Sequence, residues 1–372
     1  MKKKNAVANF AQMISSTSLT PIALDNTAAL VCMTVGLNRL KLFNSIYERI
    51  SNWFCLDDSS QEPVYRLEAE AIAGEYGSGK SHISYMIKNS LLSQDIELLL
   101  AHCQITSAAA NYQDILCEIL CNLRISSAPS QVESGVEISA YINLFGWYGG
   151  NYDLFLNSIR RSVGNIDSAI ITDFAYSLSM LAQDTSNVIY LQKCLDSWVR
   201  NSDPQKATEV FFLILSLFQK VSVQRFALVI DEFEAISHLP DLKKREILQH
   251  FQNLYDKLTQ QAAGPMSCYM LLFTTEDWLN QLDMILPSLG RRNRIRRWSP
   301  IPDLTEADIR ALVYKNATYY IMANPSAPEI TDKDLDMISE KIISQSVGTR
   351  YHLRSIQRDI NDLIEMTVRR KK

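Results

Sequence analysis

Gly74-Glu75-Tyr76-Gly77-Ser78-Gly79-Lys80-Ser81 satisfies the spacing GxxxxGK[ST] at every fixed position. It stands between an apolar segment, Val64 to Ala73, and a helical pattern, Lys80 to Leu92. That context is what a phosphate-binding loop requires. The glycines let backbone N–H groups turn inward around an anion, where a β-carbon would clash. The helix that follows directs its positive dipole end at the same place. Lys80 has the reach for β- and γ-phosphates, and the Ser81 hydroxyl is a Mg²⁺ ligand of the right hardness. His82 completes the stretch expected to hold nucleotide.

The partner motif lies far downstream. Phe226-Ala-Leu-Val-Ile230 is a continuous apolar run closed by Asp231-Glu232, the pattern of a strand buried on both faces that delivers carboxylates to the sheet's carboxyl edge. Asp231 is expected to hold the metal through water, and Glu232 to polarise the attacking water as general base. No NKxD wording for guanine occurs, which favours ATP. A third apolar run, Cys268 to Phe273, is tipped by Thr274 and Thr275. It is expected between the other two strands, with Thr274 contacting the γ-phosphate or the lytic water; a threonine at a strand end also serves simply as a cap.

Five arginines fall between positions 291 and 297. Arg291 and Arg292 are the candidates for a finger reaching a neighbouring subunit's γ-phosphate. The cluster equally suits DNA-backbone contacts or a solvated basic loop. In Gly348-Thr-Arg350-Tyr-His-Leu-Arg354, the two arginines share a helical face. Either one is a candidate second sensor over the nucleotide, or a cationic surface residue.

Working outward, 372 residues suggest two or three units at roughly 150 residues each. The expected organisation is a helical segment over 1–60, an α/β domain over 61–300 with a helical insertion at about 126–208, and a helical lid over 301–372. The insertion carries Trp147, Tyr148, Tyr152, Phe155, Phe174, Tyr176 and Trp198, too many aromatics for a linker. Thr305 after Leu304 opens a capped helix. With 37 basic and 41 acidic residues the net charge is −4, which excludes a polybasic protein but not a local basic stripe. Seven cysteines without a CxxC pair read as buried thiols of a reducing, cytoplasmic compartment; Cys117 and Cys121 have no second pair to complete a zinc site. No run of 18 apolar residues is present, and polar residues from Asn9 to Ser16 interrupt any signal-like segment.

The order of these motifs resembles an AAA+ ATPase: phosphate loop, Asp-Glu strand, Thr-tipped strand, arginine cluster, and a helical lid with Gly-x-Arg. More narrowly it is similar to the initiator-type branch, which holds origin-recognition and transposition-regulator ATPases, and to the ATP-binding proteins of BREX-type phage-defence loci. Thr34-Val35-Gly36-Leu37-Asn38-Arg39-Leu40, the wording GEYGSGKSH, and Leu195-Asp-Ser-Trp198-Val-Arg200 carry that likeness over about residues 19–358. Leu37 stands where the family usually has arginine. The resemblance implies a P-loop fold of the AAA+/ASCE class, ATP and Mg²⁺ as cofactors, and homo-oligomers. It also implies double-stranded DNA and other proteins of a defence system as partners. ATP would then act as an assembly switch on DNA. The alternative is a regulatory scaffold that acts on protein partners without touching DNA, and a steep salt dependence of DNA binding separates the two.

Overall fold

The strands that carry the motifs are the most thoroughly buried segments of the chain. The computed structural model describes residues 37–55, 67–93, 97–106, 111–162, 167–259, 266–289, 295, 297–345 and 353–371. The expected 27–36 stretch of the first helix, the 57–63 loop, Arg291, Arg292 and Arg350 lie outside them. Strand β1 (Leu67–Ala73) leads through the glycine-rich turn into a helix at Lys80–Leu92, as its pattern predicts. β2 is Leu99–Gln104, β3 Leu123–Ile125, β6 Arg225–Asp231, β7 Ser267–Thr274 and β8 Arg297–Pro300. A two-stranded ribbon, β4 (Val132–Glu133) and β5 (Val136–Glu137), turns through Ser134 and Gly135, both with positive φ.

The larger sheet has the order β3-β2-β6-β7-β1-β8. β2 pairs with β6 in parallel, Gln104 opposite Asp231, and β6 pairs with β7 in parallel, Ile230 opposite Leu272. β3 adds an antiparallel edge. Every residue of β7 is buried, and all of β6 after Arg225, which is why both read as unbroken apolar runs rather than alternating ones. The Thr-tipped strand lies between the Asp-Glu strand and β1, the place its sequence role called for.

The helices, numbered in chain order, are α1 (Leu37–Cys55), α2 (Lys80–Leu92), α3 (Tyr112–Cys121), α4 (Ser139–Trp147), α5 (Tyr152–Ser162), α6 (Ser168–Gln183), α7 (Val188–Leu195), α8 (Pro204–Lys220), α9 (Asp241–Thr259), α10 (Glu276–Ile285), α11 (Glu306–Ala323), α12 (Asp332–Gln345) and α13 (Leu353–Lys371). Their starts follow local chemistry. Asn111 caps α3 through the Asp114 amide at 2.9 Å, and Asp203 followed by Pro204 opens α8. Thr305 and Asp308 form a reciprocal capping box at α11. The expected helix over 110–123 stops two residues short, because Leu123 is recruited into β3 against Ala101.

Two compact units emerge. One contains the described residues of 1–47, 73–89 and 300–372, and the other those of 48–72 and 90–299. The first holds the phosphate loop, most of α2 and the bundle α11–α13, whose core is built on Ile309, Val313, Ile338, Ile360 and Ile364. The second holds most of the sheet and the insertion. The insertion's aromatics divide as their surroundings dictate: Phe155 and Phe174 are buried together with Tyr141 and Phe145, whereas Trp147 and Tyr176 are exposed. Trp198 sits on a single π-helical turn, Asp196–Arg200; its Nε1 donates to Asp173 at 2.9 Å and Lys206 lies over its ring.

Candidate functional site

Within the first unit, the loop after β1 is shaped by its glycines. Gly77 and Gly79 have φ of +78° and +97°, backbone that only glycine adopts without strain. A β-carbon on Gly74 would overlap Ser78 Oγ and press on Ile301 at 3.1 and 3.2 Å. The Ser78 amide donates to Glu75 O at 3.0 Å, closing the turn. Tyr76 stands at its apex, 70% exposed.

Lys80, the first residue of α2, is buried, and its Nζ donates to the carbonyls of Gly74 at 3.0 Å and Glu75 at 3.4 Å. The ammonium therefore rests on the carbonyls at the mouth of the loop. Ser78 Oγ is buried and finds no hydrogen-bond partner among the described residues. Ser81 and His82 are half-buried in the first turn of α2. A glycine-shaped turn, a buried cation at its rim and a buried hydroxyl with no partner among the described residues fit a phosphate chain.

Arg39 of α1 has a different occupation. It is 5% exposed, and its Nε donates to Pro302 O at 3.1 Å. Burial lowers its pKa, and the charges of Asp308 and Asp303 work in the opposite direction. Arg39 thus fastens the segment that leads into α11. Arg354 lies in the first turn of α13.

Within the second unit, Asp231 closes β6 and is 1% exposed. Its carboxylate accepts the Glu232 amide at 2.9 Å, and its carbonyl accepts from the Ile105 amide at 3.0 Å. Glu232 occupies the left-handed region, φ 55° and ψ 39°, before a 3₁₀ turn at Phe233–His238. A non-glycine residue there stores strain of the kind found at functional sites. At the end of the neighbouring β7, Thr274 is fully buried and its Oγ1 has no partner among the described residues, while Thr275 is spent capping α10 through the Trp278 amide at 3.3 Å. Thr274, the hydroxyl favoured from the sequence, and Thr275 therefore have different employment. Asp231 and Thr274 end adjacent parallel strands.

A cavity of about 300 Å³ opens at the carboxyl end of β2, lined by Cys103, Gln104, Asp114, Glu118 and Arg200 among others. No local pattern announces it, since its walls come from β2, α3 and the π turn. Arg200 is held by Asp196 at 2.9 Å and Asp114 at 3.6 Å. Burial, then the charges of Glu118 and Asp231, push the Cys103 thiol well up. Cys103, Cys117, Cys121, Cys194 and Cys268 are all buried free thiols, as expected. Among the described residues no group of metal-ligating side chains is assembled, and no helix is long and apolar enough to cross a membrane.

No protein-family model and no curated protein matches the chain. Among solved structures it is similar to the Walker-type ATPase of Pyrococcus abyssi, at 10% sequence identity and a TM-score of 0.39, over 86% of this chain and 71% of that one.

Proposed function

We propose that the chain is an ATP hydrolase of the AAA+ type, with Mg²⁺ as its metal. The observation that carries this reading is the loop 74–81: two left-handed glycines, a third without room for a β-carbon, and a buried lysine whose ammonium lies on the loop's own carbonyls. When ATP is taken up, the amides of Gly74 to Ser81 face the phosphates. Glu75, Tyr76 and His82 flank them, and Lys80 Nζ exchanges its carbonyl partners for phosphate oxygens. Ser81 and Asp231 hold Mg²⁺, which supplies charge neutralisation of the phosphates. Glu232 takes the proton of the attacking water, and the Thr274 hydroxyl orients that water or the γ-phosphate. Arg291 or Arg292 serves as the finger toward a second copy, and Arg350 or Arg354 as the second sensor.

The finer reading is that ATP drives assembly of copies on double-stranded DNA, as part of a defence or related DNA-processing system. What supports it is the sequence: the motif order, the GEYGSGKSH wording and the arginine cluster. The test uses Glu232→Gln, which keeps the loop and removes the base. Hydrolysis is expected to fall by about 10²–10⁴-fold, with ATP still bound and with particle mass by light scattering rising on addition of ATP and duplex DNA. Hydrolysis at the parent rate would overturn the base assignment. A particle whose mass ignores both ligands would overturn assembly on DNA and favour the protein-partner scaffold.

A further inference from the structure

β1 reads Leu-Glu-Ala-Glu-Ala-Ile-Ala, and its second glutamate, Glu70, is fully buried in mid-sheet. A carboxylate without water costs several kcal/mol unless its oxygens are satisfied. Here three other elements converge on it. Arg49 of α1 donates Nε to Oε2 at 3.1 Å and Nη2 to Oε1. Tyr269 of β7 donates its hydroxyl to Oε2 at 2.8 Å, and Ser299 of β8 donates Oγ to Oε1 at 2.7 Å. Arg49 Nη2 also reaches Ser299 Oγ at 3.3 Å. Burial by itself would lower the Arg49 guanidinium, yet the hydrogen bond and charge of Glu70 raise it above its ordinary value. Because β1 stands between β7 and β8, one carboxylate ties that strand to both neighbours and to α1.

In the other unit the same strand ends on a second tie. The Ile301 amide donates to Ala73 O at 2.7 Å, and the Ile301 side chain walls Gly74, the first glycine of the phosphate loop. Glu70 precedes that tie by three residues along β1, and Ser299 of β8 precedes Ile301 by two. We propose that Glu70 is a positioning residue for the phosphate loop, fixing β1 against β7, β8 and α1 so that the loop leaves the strand in its phosphate-ready form. This rests on the ATP reading above for its purpose, but not for its test. Glu70 touches no reacting atom; it acts through the strand.

The test uses Tyr269→Phe combined with Ser299→Ala, which removes two donors and leaves the Arg49 ion pair in place. A second variant, Glu70→Met with Arg49→Met, replaces the pair by apolar side chains and leaves no unpaired charge. Hydrogen exchange is read without nucleotide. Amides of 74–81 are expected to exchange about tenfold faster, the effect of losing about one hydrogen bond's worth of local stability, with β6 unchanged. The affinity for a fluorescent ATP analogue is expected to weaken about tenfold, kcat moving much less, and Ser299→Thr should keep the parent behaviour. Unchanged exchange in 74–81, or faster exchange spread evenly over β6 and β7, would overturn the proposal, because either result describes a merely structural network. Wild-type protein that binds no analogue would remove the ATP reading while the exchange result still decides this one.

Discussion

Glu232 offers a perturbation in which backbone strain and chemistry pull apart. Its φ of 55° and ψ of 39° place a residue with a β-carbon in the left-handed region. That conformation costs roughly 1–2 kcal/mol for an L-residue. Replacing Glu232 by alanine retains the cost and removes the carboxylate. Glycine removes both, but adds about 0.5–1 kcal/mol of unfolded-chain entropy. The glycine variant is therefore expected to be more stable than the alanine variant by about 0.5–1 kcal/mol. At an m-value of about 2–3 kcal/mol/M this separates their urea midpoints by roughly 0.2–0.5 M. Paired urea titrations followed by tryptophan fluorescence read the difference, and both variants should have lost hydrolysis. An alanine variant as stable as the glycine one, or more so, would refute the left-handed backbone at this position and with it the strain argument for a functional site.

Thr274 buries a hydroxyl with no partner among the described residues. Thr274→Val should raise stability by about 1 kcal/mol and slow ATP hydrolysis with ATP affinity unchanged; lower stability would mean that the hydroxyl is satisfied in solution. In the lid, Asp334 is held down to a pKa of about 2 by its hydrogen bonds with Lys371 and Thr331. A carboxyl held below its unfolded value, near 3.9, adds stability that is complete above that value and is lost as pH falls toward about 2. Asp334→Asn should therefore flatten the acid side of the stability profile in that window, measured by circular dichroism; an unchanged profile refutes the assignment.

Local patterns told most about the sheet. The unbroken apolar runs at Phe226 and Cys268 could only be strands buried on both faces, and the helix Lys80–Leu92 begins and ends where its pattern does. Helix α3 is shorter than its periodicity because pairing of Leu123 with Ala101, distant in sequence, outweighs one more helical turn. The ribbon β4–β5 was illegible, since two-residue strands carry no period to read. At the candidate site, the residue types spoke and the geometry did not. Nothing local separates Thr274 from Thr275; only the Trp278 amide, which occupies one of them, does so. Likewise nothing in the sequence around Arg39 shows that a carbonyl 263 residues away takes its guanidinium. Glu70 carries no local signal of its burial; its partners come from α1, β7 and β8, distant in sequence.

The central claim is that the loop 74–81 binds ATP through Lys80. Isothermal titration of ATP with Mg²⁺ into the parent protein and into Lys80→Ala tests it directly. A charge-assisted contact of about 2–3 kcal/mol corresponds to roughly 30–150-fold in affinity. The account predicts saturable binding by the parent and a loss of that size in the variant. Equal ATP affinity in the two proteins, or no ATP binding by the parent, would contradict it.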